Sequence, residues 1–269
     1  MLTIFSIPKP FVNPHIRLIQ RNALKSWKVL HPEIEIILIG NDSGVSETAR
    51  EFGVKHLSSV AINQYGTPLL DSAFNLARQD SRHQTLMYVN ADIIFDSSLI
   101  KVLPMLPKTD FLAIGRRIDL DITEEIDFTN PNWADKLSST VNQSGSLHSW
   151  AGIDYFIFNK GKFLDLPPMA VGRVGWDNWT IAKARQELRY VIDCSSVVRA
   201  VHQNHAYTGT NAGPSRKTNP EARQNSSFIK NPAYTFTIED ANWKLTPVGL
   251  KRNWLCWVPF FKRYLKYLF

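Results

Sequence analysis

Thr85-Leu86-Met87-Tyr88-Val89-Asn90-Ala91-Asp92-Ile93-Ile94-Phe95 is an apolar strand that runs into a short polar step and then back into an apolar triplet. A carboxylate placed directly after a buried strand must meet a cation, accept several hydrogen bonds or suffer desolvation. By itself Asn90-Ala91-Asp92 is either a turn in which Asp92 caps backbone amides or one corner of a cation site. The flanking chain decides which fold carries it.

Upstream, Leu2 to Ile7 is an apolar run closed by Pro8 and Pro10 and reads as a buried strand. Ile16, Leu18, Ile19, Ala23, Leu24 and Trp27 then recur at helical spacing, and Ile34 to Ile39 forms a second apolar run. That is β-α-β. Gly40-Asn41-Asp42-Ser43-Gly44 follows as a turn in which Asp42 or Ser43 is expected to cap a helix beginning near Val45, with Gly53 ending it. Val54 to Leu57 reads as a third strand and Pro68 to Arg78 as a third helix. Strands alternating with helices imply an α/β fold with a mostly parallel central sheet, and such sheets bind ligands beyond the carboxyl ends of their strands. Ser6 and Lys9, Asn41 and Asp42, and Asn90 and Asp92 occupy those ends, so three loops converge on one edge.

A chain of 269 residues suits a single domain with two functional halves, 1–115 and 116–249. Hydrophobic content of 44% and charged content of 20% exclude disordered, collagen-like and disulfide-scaffold classes. Two cysteines, Cys194 and Cys256, make neither a disulfide framework nor a four-thiolate metal site, which points to a reducing, cytoplasmic setting. The start carries no basic region followed by an apolar one, and nowhere do 18 apolar residues run together, so neither a signal peptide nor a membrane span is expected. A net charge of +7 invites nucleic acid, but Lys and Arg are spread along the chain without a nucleic-acid-binding motif, and no nucleic-acid partner is expected. Neither G-x-G-x-x-G nor G-x-x-x-x-G-K-[ST] occurs, which argues against dinucleotide oxidoreductases and P-loop NTPases.

Beyond Phe111 to Ile114 the pattern loosens into polar loops and isolated strands such as Tyr155 to Phe158. Three features there bear on chemistry. Asp154 stands at the start of a strand, and Asp177 stands where a helix begins, as a plain N-cap or as something more. His202 and His205 follow an apolar strand over Val197 to Val201, and histidine is the commonest metal ligand. Thr208 to Asn231, rich in Gly, Pro, Asn, Ser and basic residues, reads as a long surface loop, expected to close over a ligand with Arg216, Lys217 or Arg223 on phosphate oxygens.

In this order the parts resemble the GT-A class of glycosyltransferases, whose nucleotide-binding sheet ends in an Asp-X-Asp motif, here Asn90-Ala91-Asp92 with the first acid replaced by an amide. VHQNHAY, EARQN and FTIEDANWKL also resemble a group of bacterial members of that class. The resemblance implies a GT-A-like, Rossmann-like fold with a nucleotide-binding half over 1–115 and an acceptor and catalytic half over 116–249, and a UDP- or GDP-sugar donor, with Asp42 on the nucleoside and Ser6 and Thr67 or Asp71 nearby. It implies weakly bound Mn²⁺ or Mg²⁺ on Asp92, His202 and His205, bridging the diphosphate, with Lys9, Asn90 and Arg223 also on the donor side. Asp177 is the first candidate for the base that takes the acceptor hydroxyl's proton and Asp154 the second. The acceptor would be a glycan or a lipid-linked sugar in cell-surface glycan or glycolipid synthesis. Two other readings stay open: a nucleotidyltransferase-like enzyme, and a carbohydrate- or lipid-binding module without catalysis. The basic, aromatic segment 250–269 has the composition of a peripheral contact with the inner face of a membrane, or of a helix packed on the protein's own core.

Overall fold

In a computed structural model of the chain, residues 1–161, 165–205, 219–231 and 235–266 are described. The first half runs β1 (Leu2–Ser6), α1 (Pro14–Leu30), β2 (Glu35–Ile39), α2 (Val45–Phe52), β3 (Lys55–Leu57), α3 (Leu70–Asp80), β4 (Thr85–Val89), β5 (Ile93–Phe95), α4 (Ser98–Val102) and β6 (Phe111–Arg116). The second runs β7 (Ile118–Leu120), α5 (Trp133–Ser144), β8 (Ser146–Leu147), β9 (Ile153–Asn159), α6 (Trp176–Glu187), β10 (Tyr190–Asp193), β11 (Ala200–Gln203), α7 (Pro220–Ser227), β12 (Trp243–Thr246), β13 (Gly249–Arg252) and α8 (Val258–Lys266).

Among the described residues nine strands form one sheet in the order β13-β12-β10-β6-β9-β4-β1-β2-β3. Only β9 and β13 run against the rest. Alternate residues of each central strand enter opposite cores. Ile4, Met87 and Ile157 pack with Trp27 and Ala49 of α1 and α2, while Phe5, Tyr88 and Phe158 pack with Phe74 and Ile181 of α3 and α6. A sheet covered on both faces needs near-continuous apolar strands, which is why these strands read as unbroken apolar runs.

A second sheet, β5-β11-β7-β8, lies beyond the ends of the first. Val89 is the last residue of a large-sheet strand and Ile93 the first of a small-sheet strand. Asn90-Ala91-Asp92 is therefore the hinge between the two sheets. The indole Nε1 of Trp27 donates to the Ile93 carbonyl at 2.9 Å, tying the small sheet to α1.

Four local expectations change. Gly44, in the left-handed region at φ 85°, caps α2 in place of Asp42 or Ser43, so no side chain caps this helix. A Cβ at Gly44 would come within 2.8 Å of Phe11 Cβ, so the close approach of two loops requires glycine. The third helix begins at Leu70 and runs on to Asp80. Ser195 to Val197 turn instead of extending, because Asp193 accepts from the Ser195 amide at 2.9 Å and the Cys194 carbonyl from the amides of Val197 and Val198, so the strand starts at Ala200. Finally, part of the segment expected to be a loop is the helix α7. Asn219 caps it by accepting from the amides of Glu221 and Ala222, and Pro220 opens its first turn. Residues 208–218 of that segment, with Arg216 and Lys217, lie outside the described residues.

Candidate active site

The hinge gathers side chains from five elements. Lys9 follows β1, and its backbone is held on both sides by Gln20 of α1: the Lys9 amide donates to Gln20 Oε1 at 2.7 Å, and Gln20 Nε2 donates to the Lys9 carbonyl at 2.9 Å. Its ammonium lies 3.4 Å from His205 Nε2. The Asp92 backbone is held by Gln203, whose Nε2 donates to the Asp92 carbonyl at 3.0 Å and to that of Ile19 at 2.7 Å. Antiparallel pairing of β11 with β5 sets His202 opposite Ile93, one residue from Asp92.

Asp92 Oδ2 lies 3.1 Å from His205 Nε2 and 3.8 Å from His202 Nε2. Ligand atoms of all three residues fall within 4.8 Å of one another, which brings together the three expected metal ligands. Burial pushes the Asp92 carboxyl up. The hydrogen bond from His205 and the charges of His202 and Lys9 outweigh burial and hold it below the usual carboxylate range. Lys9 is shifted the other way, lowered by its own burial against the pull of Asp92. Asp92 Oδ1 is buried with no hydrogen-bond partner. A carboxylate with one oxygen beside two imidazoles and the other unsatisfied could hold a small divalent cation, and completion by phosphate oxygens would suit Mn²⁺ or Mg²⁺.

A second network starts at Asn90. Its Nδ2 donates to Asp154 Oδ1 at 2.5 Å, and its Oδ1 accepts from the Tyr88 hydroxyl at 3.2 Å. Asp154 Oδ2 accepts from Arg117 at 2.8 Å, and Arg117 Nε donates to Asp119 at 2.8 Å. Asp119 meets His148 Nδ1 at 2.5 Å and comes within 3.1 Å of His202 Nδ1, off the hydrogen-bond direction. Parallel register sets Asp119 directly beside His202. Asp119 thus lies beside His202 Nδ1 on the side away from Asp92, close enough for charge attraction but without a hydrogen bond.

These contacts explain the amide in the motif. An aspartate at position 90 would set two carboxylates at hydrogen-bond distance, one buried, where only an N–H donor satisfies Asp154. We expect Asn90→Asp to lower Tm more at pH 8 than at pH 5, because the added repulsion requires both groups ionised. Equal losses at both pH values would show that shape, and not charge, selects asparagine.

Asp177 lies in the first turn of α6, beside Trp176, which packs edge-on to Tyr88 with ring centroids 5.3 Å apart. Desolvation, with a smaller push from Asp154, raises its carboxyl to about 6 despite the Asn178 amide donating to it at 2.9 Å. Arg116 covers the Trp150 ring at 4.3 Å and donates to the His148 carbonyl at 2.8 Å, which makes a polar and aromatic wall next to Asp154.

The expected donor-side residues divide. Ser6 is buried, with its hydroxyl donating to the Val89 carbonyl at 2.6 Å, a tie between β1 and β4. Asp42 lies at the end of β2, next to β1 in the sheet, and burial pushes its carboxyl up. Asp71, in the first turn of α3, keeps a buried Oδ1 without a hydrogen bond. Thr67 and Asn63 bond to Glu221 of α7, and Arg173 pairs with Glu221 at 2.7 Å. Arg223 stands exposed on the same helix. Arg116, Arg117, Asp119 and His148 were not singled out from sequence. Their one signal is Arg116-Arg117-Ile118-Asp119-Leu120, charges alternating with apolar residues directly after an apolar strand.

No protein-family model matches the chain, and no curated protein matches it in sequence. Solved structures do. Glucosyl-3-phosphoglycerate synthase from M. tuberculosis superposes with a TM-score of 0.50 at 14% identity, over 85% of this chain and 79% of the synthase. The same enzyme in complex with phosphoglyceric acid gives 0.48 at 12%, over 85% and 78%. S. aureus TarS 1-349 in complex with UDP-GlcNAc gives 0.44 at 13%, over 76% of this chain and 59% of that fragment, and the match spans 37% of the longer TarS chain. The chain has a GT-A-like fold, a large and mostly parallel sheet between helical layers with its acidic hinge at the carboxyl end of β4.

Proposed function

We propose that this chain is a glycosyltransferase that moves a sugar from a nucleoside-diphosphate donor, with UDP or GDP as the nucleotide, to an acceptor hydroxyl. The observation that carries the reading is the joining of Lys9, Asp92, His202 and His205 at the hinge, with Asp177 as a separate carboxylate beyond it. A diphosphate needs cations, and this cluster offers a lysine, two imidazoles and a carboxylate able to hold a divalent ion. When bound, such an ion offsets charge on the departing diphosphate. The chain's own groups do the rest. Lys9 supplies a fixed positive charge, Gln20 and Gln203 hold the backbone on which Lys9 and Asp92 stand, and Asp177 accepts the hydroxyl proton. Asp154 is committed to Arg117 and Asn90, which suits it to positioning and makes Asp177 the better base. Trp150 and Arg116 would face the acceptor, a glycan or a lipid-linked sugar on the cytoplasmic side of a membrane.

The testing experiment is thermal unfolding of the full chain with UDP, GDP and their sugar derivatives, with and without Mn²⁺, followed by release of free nucleotide as the readout of turnover. A nucleoside diphosphate should raise Tm, and more so with Mn²⁺. No stabilisation by any nucleoside diphosphate would overturn the donor assignment. Stabilisation without turnover on any glycan or lipid-linked sugar would favour the non-catalytic reading.

A further inference from the structure

We infer that the hairpin β12–β13 and the helix α8 form a docking surface for an anionic lipid bilayer. The inference stands on observations separate from the sugar-transfer site. From Ala241 to Phe269 the sequence contains six Lys or Arg and no Asp or Glu. Trp254, Leu255, Trp257, Val258, Phe261 and Leu265 are 44 to 78% exposed, a density of uncovered large apolar side chains found nowhere else among the described residues.

The helix is anchored by its opposite face. Phe260 packs against Phe236 with ring centroids 5.8 Å apart, and Arg263 pairs with buried Asp240 at 2.6 Å. At 100° per residue Phe260 and Arg263 point inward together, while Val258, Phe261, Lys262 and Leu265 share the outward stripe. An ordinary surface helix turns its apolar stripe to the core. Here the outward stripe is apolar as well, and the only charge described on it is a lysine.

The charges beside it lack anions. Register places Lys244 directly opposite Lys251, where like charges repel. Both stand on the sheet face that α8 covers, since their neighbours Trp243, Leu245 and Leu250 enter the other core and Phe260 joins the core on the α8 side. Arg252 stacks on Trp254 at 5.1 Å and on Trp243 at 5.4 Å, and has no carboxylate partner among the described residues. A lysine on an edge strand also deters sheet-to-sheet pairing, which accounts for Lys251 on β13 but not for Lys244 on β12 or for uncovered Trp254, Phe261 and Leu265. Aromatic rings at headgroup depth with lysines on lipid phosphates satisfy the groups of the α8 face together, with Arg252 on the other face of edge strand β13 at its border. No helix of the described residues is long and apolar enough to cross a membrane, so the contact is with the surface.

Sedimentation of the full chain with vesicles decides it. Vesicles rich in phosphatidylglycerol should carry the protein down at low salt, and phosphatidylcholine vesicles should not. Each of Lys251→Glu and Lys262→Glu should weaken partitioning by at least about fivefold, the factor expected for one basic residue near an anionic surface. Phe261→Glu with Leu265→Glu should abolish it while leaving Tm and nucleotide stabilisation unchanged. The emission of Trp254 and Trp257 should shift to the blue on binding. The inference is overturned if anionic vesicles leave the intact chain in solution, if the Phe261→Glu, Leu265→Glu variant binds equally, or if the chain dimerises in solution and that variant makes it monomeric.

Discussion

Asp177→Asn keeps nucleotide stabilisation and lowers turnover by about 10²–10⁴-fold, the range for loss of a positioned general base. Its carboxyl, raised to about 6 by burial and by Asp154, is ionised at neutral pH yet basic enough to take a proton from a hydroxyl whose acidity rises as its bond to the sugar forms. In the parent chain the proposed turnover should therefore climb with pH through about 6, and the variant should lose that limb. Stability moves the other way. Because the folded carboxyl titrates above its ordinary value of 3.8, the folded protein binds a proton between about pH 4 and 6 that the unfolded chain has released. Its favourable contribution is present at low pH and is lost as pH rises through that window. Asp177→Asn should thus raise Tm at pH 7, by at most about 3 kcal/mol of stability from two pK units, and leave it little changed at pH 4. A variant with full turnover removes Asp177 from proton transfer. One that is inactive but no more stable at pH 7 would place the group's role in structure.

Asp92→Ala removes the Mn²⁺-dependent part of the nucleotide's stabilisation and leaves the metal-free part. In the parent chain, saturation at about 100 times Kd contributes about 2.7 kcal/mol, which for a protein near this size is a shift of several degrees. With the carboxylate gone, His202 and His205 alone supply two neutral donors to an ion that prefers oxygen. Lys9 remains as a cation and the two imidazoles as N–H donors to phosphate, and the repelling carboxylate is gone, so UDP or GDP without metal should bind at least as well as before. Asp92→Asn tests charge at constant shape and should match Ala. An unchanged Mn²⁺ increment in either variant would take Asp92 out of the ligand set. In a parallel test on His202, His202→Ala should weaken Mn²⁺, and Asp119→Asn, which removes a charge 3.1 Å from His202 Nδ1, should weaken it less.

The alternating strands and helices of the first half were legible because their signals are local. Each central strand is buried on both faces and reads as an apolar run, and α1 announces itself by period. The acidic step after β4 was legible for the same reason, since a polar break between two apolar strands has to lie at a sheet's end. The network behind it was not. Asn90 depends on Asp154, 64 residues on, and Arg117 on that same Asp154, 37 residues on. Asp119 stands beside His202 only through the pairing of β7 with β11. No window of sequence holds both partners of any of these pairs. Local chemistry thus determined the apolar strands, the hinge between them and the identity of the acids and imidazoles. Which of these groups touch, which carboxylate is spent on an arginine and which stays buried with a raised pKa was decided by the tertiary structure, because strand register and burial set distances and pKa values that sequence spacing does not encode.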